Sequence, residues 1–113
     1  MTGRPWRLTR QAQSTLVEIA RWTVRNFGER QADAYEADLI ERCDAIAAGM
    51  APSRSCRDLF DATLDLRLRF SRCGGHFVVF TEGSDVVIIV DFIHARADFP
   101  ERLSDVGLDE DKP

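Results

Sequence analysis

The stretch IIVDFIHARADF, residues 88–99, decides how the rest of the chain is read. It opens as an apolar run suited to the middle of a sheet, since a strand with apolar residues on both faces is covered on both faces. It then breaks into His94, Arg96 and Asp98 with only alanines between them. Residues two apart on an extended segment share a face. The string therefore fits either an active site at a strand end or a clasp that fixes the chain as it leaves the sheet.

Working back from this strand, two further β segments precede it. LDLRLRFS, residues 64–71, alternates Leu64, Leu66, Leu68 and Phe70 with Asp65, Arg67, Arg69 and Ser71, a period of two that predicts a strand. Cys73-Gly74-Gly75 turns the chain into HFVVFTE, and Glu82-Gly83-Ser84-Asp85 makes the next hairpin turn. In the first half the period lengthens. Ala12, Leu16, Ile19, Thr23 and Phe27 mark one helical face, with Trp22 beside it. Gly28 ends that helix, and Ala32, Tyr35, Leu39, Cys43 and Ile46 mark a second. One glycine between two amphipathic helices predicts an antiparallel hairpin. A short strand is expected at residues 4–9, and a loop at 51–62 with a turn near Asp58-Leu59-Phe60. The expected fold is α+β, in the order β-α-α-β-β-β, with the helix hairpin packed on a mainly antiparallel sheet.

At 113 residues the chain is long enough for one core and one domain. The expected domain covers residues 1–103, with one helical turn at FPERL. Residues 104–113 form an acidic tail expected to be disordered. Three widely spaced cysteines, Cys43, Cys56 and Cys73, argue against a disulfide framework or a zinc site and suit a reducing cytosol. No run of 18 apolar residues exists, and no apolar stretch follows the N-terminal arginines. A cytoplasmic protein with no metal, no cofactor and no membrane contact is expected.

The net charge of −4 is unevenly spread. Residues 29–50 and 98–113 each hold six acids and two bases, and the remainder holds eleven arginines against seven acids. The one lysine is Lys112. Arginine suits bidentate contacts to carboxylate or phosphate, although codon bias gives the same excess.

Three separated segments resemble the ParE/RelE superfamily of bacterial toxins, and within it the ParE branch. RLTRQAQSTLVEIARWTVRNFGERQADAYEADLIERCDAI is similar to the family's opening, a strand and a helix of pattern A-x-x-x-L-x-x-I, then F-G before the second helix. LRLRFSRCGGHFVVFTE resembles its hairpin, and VVIIVDFIHARADFPERL its closing I-H-x-R-x-D segment. Two positions depart from the pattern. Thr15 stands where an acid usually precedes the first leucine, and Arg72-Cys73-Gly74-Gly75-His76 replaces a G-R-H turn.

The resemblance implies the toxin of a type II toxin–antitoxin pair. ParE-like members poison DNA gyrase, RelE-like members cut mRNA in the ribosome, and a small antitoxin, ParD-like in the first branch, neutralises the toxin. DNA contact would then come only through an antitoxin complex. A third possibility is a degenerate toxin fold that only binds its antitoxin as a co-repressor.

RNA cleavage needs a base, cations around the phosphate and an acid. Arg67, Arg69, His94 and Arg96 are the candidates for that role, or else a solvated strand face and a structural clasp. Tyr35 falls in the apolar stripe of the second helix and is not expected to serve chemistry. An acidic chain is poorly matched to the phosphate lattice of the ribosome, which favours gyrase and a binder rather than a catalyst. Candidate contacts to target or antitoxin are Trp22, Phe60, Arg67, Arg69, Arg72, His76, Arg96 and Phe99, each of which also has a plain packing or surface reading.

Overall fold

A computed structural model describes residues 4–59 and 62–96. Its elements are β1 (Trp6–Leu8), α1 (Arg10–Phe27), α2 (Glu29–Ala47), β2 (Arg54–Ser55), α3 (Cys56–Leu59), β3 (Arg69–Cys73), β4 (His76–Glu82) and β5 (Val87–His94). The sheet order is β1-β5-β4-β3-β2. β1 runs parallel to β5, and the other pairings are antiparallel. β5 therefore lies inside the sheet, as its two-sided apolar character predicts.

Thr9 starts the first helix and anchors it to the sheet. Its hydroxyl oxygen accepts the Ala12 N–H at 3.0 Å, capping α1, and its proton goes to the Val90 carbonyl at 2.6 Å. The Thr9 N–H donates to the Ile89 carbonyl. Capping and tertiary attachment are thus one side chain's work. Gly28, at φ 93°, lets α1 turn directly into α2, a conformation that a side chain would strain.

The hairpin covers one face of the sheet. Ala12, Leu39, Cys43, Ile46 and Ala47 pack there against Val78, Phe80, Val87, Ile89 and Phe92. Phe80 and Phe92 are almost fully buried, and truncating either to alanine would cost about 3–5 kcal/mol. The opposite face is also covered: Cys56, Leu64 and Leu68 close over Phe70, Phe77, Val79, Val90 and Ile93. Burial on both faces explains why β4 and β5 lack strict alternation.

A bulge interrupts the β4–β5 ladder. Val79 pairs with Asp91 and Phe80 with Ile89, so Val90 has no opposite number. An extra residue re-aims the side chains that follow it. Here Asp91, fully buried, accepts the Thr15 hydroxyl at 2.7 Å and the Phe92 N–H at 2.8 Å.

The expected strand at 64–71 is corrected. β3 begins only at Arg69, and residues 64–68 turn instead. Leu64 and Leu68 are buried against the back of the sheet while Leu66 is 69% exposed, so the period of two belongs to a wrapped loop. The expected loop at 51–62 likewise contains β2 and α3. The helical turn expected at 99–103 and the tail at 104–113 lie outside the described residues. None of the described helices is long and apolar enough to cross a membrane.

Candidate functional site

The first residue of β4 meets the last residue of β5, His76 pairing with His94. Between this sheet end and the Gly28 end of the helix hairpin lies a cleft of about 730 Å³. Ile19, Trp22 and Phe27 of α1, Tyr35 of α2, and His76, Phe92 and His94 of the sheet line it. Trp22 and Phe27 meet edge to face at 5.7 Å between ring centres, and both remain more than half exposed. Two large aromatics left in water beside a concavity mark a surface built for contact rather than for the core.

At the base of the cleft is a polar cluster. The Tyr35 hydroxyl lies 2.6 Å from His76 Nδ1 and 3.1 Å from the Cys73 carbonyl. Tyrosine has one proton, so both contacts are satisfied when Tyr35 donates to Cys73 and His76 donates from Nδ1 to Tyr35. That tautomer leaves His76 Nε2 as an acceptor. Burial, reinforced by the neighbouring His94, pushes the His76 pKa down from 6.5 to about 4, so the ring is neutral at pH 7. The Tyr35 hydroxyl is pushed up, chiefly by burial.

His94 has the opposite tautomer. Its Nδ1 accepts the Arg96 N–H at 3.1 Å, which places the ring proton on Nε2. Its ring centre is 5.2 Å from that of His76. The Ala95 N–H donates to the Gly75 carbonyl at 2.9 Å, closing the chain onto the β3–β4 turn. His94 therefore stabilises the strand exit through one nitrogen and lines the cleft as well.

The remaining sequence candidates do not assemble there. Arg67 is held by Asp65, with guanidinium contacts at 3.1 and 3.0 Å, in a turn rather than on a strand face shared with Arg69. Arg67 also holds the Asp65 carboxyl below the usual carboxylate range. Arg69 reaches Ser53 Oγ at 3.1 Å and lies 3.8 Å from Glu82. It pairs with Phe80, four residues along β4 from His76, about 13 Å at strand rise. Arg72 donates to the Gly74 carbonyl and stacks over Phe77. Arg96 is exposed beyond the strand end. Phe60, Asp98 and Phe99 lie outside the described residues.

Tyr35 holds its expected place in the apolar stripe of α2 and adds a polar contact to it. Its ring packs against the helix-face core, yet its hydroxyl reaches the cluster. The available signal was that it is the one member of its stripe with a polar tip, a group that needs a partner when half-buried. All three cysteines are free and buried, and burial pushes Cys43 and Cys56 up to about 12. Among the described residues, no three His, Cys, Asp or Glu side chains are grouped to hold a metal ion.

The fold and cleft can be compared with known proteins. Residues 6–99 match the family described as ParE toxin of type II toxin–antitoxin system, parDE. A curated relative, Toxin ParE of Escherichia coli, is 33% identical over 99 residues, covering 87% of this chain and 91% of the relative. A solved structure, described as the chromosomal ParDE TA system from P. aeruginosa, superposes with a TM-score of 0.65 at 16% identity. That match covers 80% of this chain and 95% of the other, and it supports the α+β arrangement. A helix hairpin on a five-stranded mixed sheet, matched over this span, defines a toxin of the type II toxin–antitoxin class. Within that class, the chain belongs to the ParE toxin family.

Proposed function

We propose that this toxin stops bacterial growth in the cytoplasm by binding DNA gyrase and holding its cleavage complex, and that a ParD-like antitoxin neutralises it. The carrying observation is the dispersal of the groups that RNA cleavage would need. Arg67 and Arg69 are engaged by Asp65, Ser53 and Glu82 at one end of β3, while His94 and Arg96 stand about 13 Å along the sheet. His76, one of the titratable groups lining the cleft, has its pKa pushed down to about 4 by burial, which favours its neutral ring and disfavours it as the acid of a cleavage step. A phosphate in flight needs cations around it, and among the described residues Arg25 is the one arginine that lines this cleft.

What remains is a binding surface with exposed aromatics, Trp22 and Phe27, at its rim. Aromatic anchors of this kind carry much of the energy in protein interfaces. Gyrase is reached as a protein partner, and DNA is contacted only through the antitoxin complex.

The test combines purified gyrase, plasmid and this protein, read as loss of supercoiling and gain of linear plasmid, with and without antitoxin. Induction of the toxin alone should lower colony counts and raise an SOS response. Codon-positioned mRNA cuts without DNA breaks would replace gyrase with a ribosomal target. Soluble protein with no effect on growth would leave a degenerate antitoxin-binding co-repressor.

A further inference from the structure

We infer that the α1 rim of the cleft is a self-association surface, on which a second copy of this chain docks through an antiparallel α1–α1 contact. Glu18, Trp22 and Arg25 line the same cleft and recur at spacings of four and three, so they form one stripe along α1. All three are exposed. Among the described residues, neither Glu18 nor Arg25 makes an ion pair within the chain.

The stripe is complementary to itself. In a two-fold contact, a residue that meets another across the axis is met by it in return. Glu18 and Arg25 are seven positions apart, about 10.5 Å at helical rise, and Trp22 sits close to their midpoint. Two α1 helices running antiparallel across that midpoint therefore place Glu18 of each copy opposite Arg25 of the other. The two Trp22 rings meet beside the axis, each backed by its own Phe27 at 5.7 Å between ring centres. Packed helices lie about 8–10 Å apart, within reach of a glutamate and an arginine side chain.

A second copy fits this surface better than a partner of one charge sign. The cleft lining carries one carboxylate, Glu18, and one guanidinium, Arg25, so an acidic or a basic partner is attracted by one and repelled by the other. Trp22 and Phe27, 54% and 65% exposed, supply the apolar centre that such a charged rim surrounds. Arg21 and Val24 are also exposed on α1 but do not line the cleft. The dimer covers the aromatics that a protein target would use, so self-association and target binding exclude each other there. This inference goes beyond the proposed function and does not depend on gyrase being the target.

The experiment is sedimentation velocity over a concentration series. The wild-type mass should rise from one chain, 12.8 kDa, toward two. Glu18→Arg and Arg25→Glu each set like charges across the axis and should weaken association more than about tenfold. Glu18→Arg/Arg25→Glu restores the pairing and should restore the dimer. The double exchange also guards against misfolding, since a chain that misfolds from either change would not recover with both. Val24→Asp, off the stripe, should leave the dimer intact. A wild type that stays at one chain throughout, single exchanges that leave the dimer in place, or a double exchange that fails to restore it would each overturn the inference. So would loss of the dimer in Val24→Asp, because it would move the contact to the other flank of α1.

Discussion

His76 should make this protein acid-sensitive in a range where few other groups titrate. Its pKa is about 4 in the folded state against an ordinary 6.5. At pH 8 both folded and unfolded chains carry the neutral ring, and the group contributes nothing to the difference. As pH falls from 6.5 toward 4, the unfolded chain binds a proton that the folded site refuses, so stability declines. Linkage over the full shift gives a loss of about 2 kcal/mol between pH 8 and pH 5. The ring is only partly buried, and solvent screening brings the expected loss to about 1 kcal/mol. Tyr35 from α2 and His94 from β5 face it, and His94 is the neighbour whose charge would deepen the effect. The assay is urea unfolding at pH 8, 6.5, 5.5 and 5 for wild type and His76→Asn, whose amide can keep the Tyr35 contact without titrating. Carboxylates contribute equally to both proteins, so the difference isolates the imidazole. Equal pH slopes in the two proteins, or a His76 NMR titration midpoint near 6.5, would refute the reasoning.

Replacing Thr15 with valine removes the hydroxyl bonded to buried Asp91 and should cost about 1–3 kcal/mol in urea unfolding. Gly74→Ala should destabilise and shift the Tyr35 ring resonances, because Gly74 has φ 58° and a Cβ there would sit 2.7 Å from Tyr35 Cε1. Cys43 and Cys56 should resist iodoacetamide at pH 8 in the native protein and react on unfolding, which mass spectrometry would read directly. His94→Asn should fold with wild-type stability, since the amide oxygen can take the place of Nδ1 in accepting the Arg96 N–H, while Nε2 is lost. Full toxicity in that variant would show that Nε2 has no part in target recognition.

The helix hairpin was legible because its core-facing residues obey one period: Leu39, Cys43 and Ile46 are all buried at the predicted spacing. The central strand was legible for the opposite reason, since apolar residues on both faces require cover on both. The segment at 64–70 misled because alternation measures burial and does not measure pairing. Leu64 and Leu68 are buried by folding over the sheet, and Asp65 fixes the turn by accepting the Arg67 N–H at 2.8 Å. The failure is visible in Leu66, which a half-buried strand would have covered. The parallel β1–β5 pairing joins residues about 80 positions apart, as Trp6 with Val87, and no local pattern encodes it. The same holds for Tyr35 and His76, 41 positions apart, whose contact exists only once hairpin and sheet have docked.

The His-x-Arg-x-Asp string can now be assigned more than one duty. Its first residue uses Nδ1 to receive the chain as it leaves β5, and Ala95 fastens that exit to the β3–β4 turn. The clasp therefore holds the same turn that carries Cys73 and Gly75, on which Tyr35 and His76 depend. A clasp that only ended the strand would not need a ring aimed at a cleft. A purely binding histidine would not spend a nitrogen on its own backbone. Because His94 does the first and stands in the second position, the fold's closing contact and the cleft's polar floor share one side chain. Changes that loosen the strand exit must then disturb the surface offered to a partner, even where no contacting aromatic is altered.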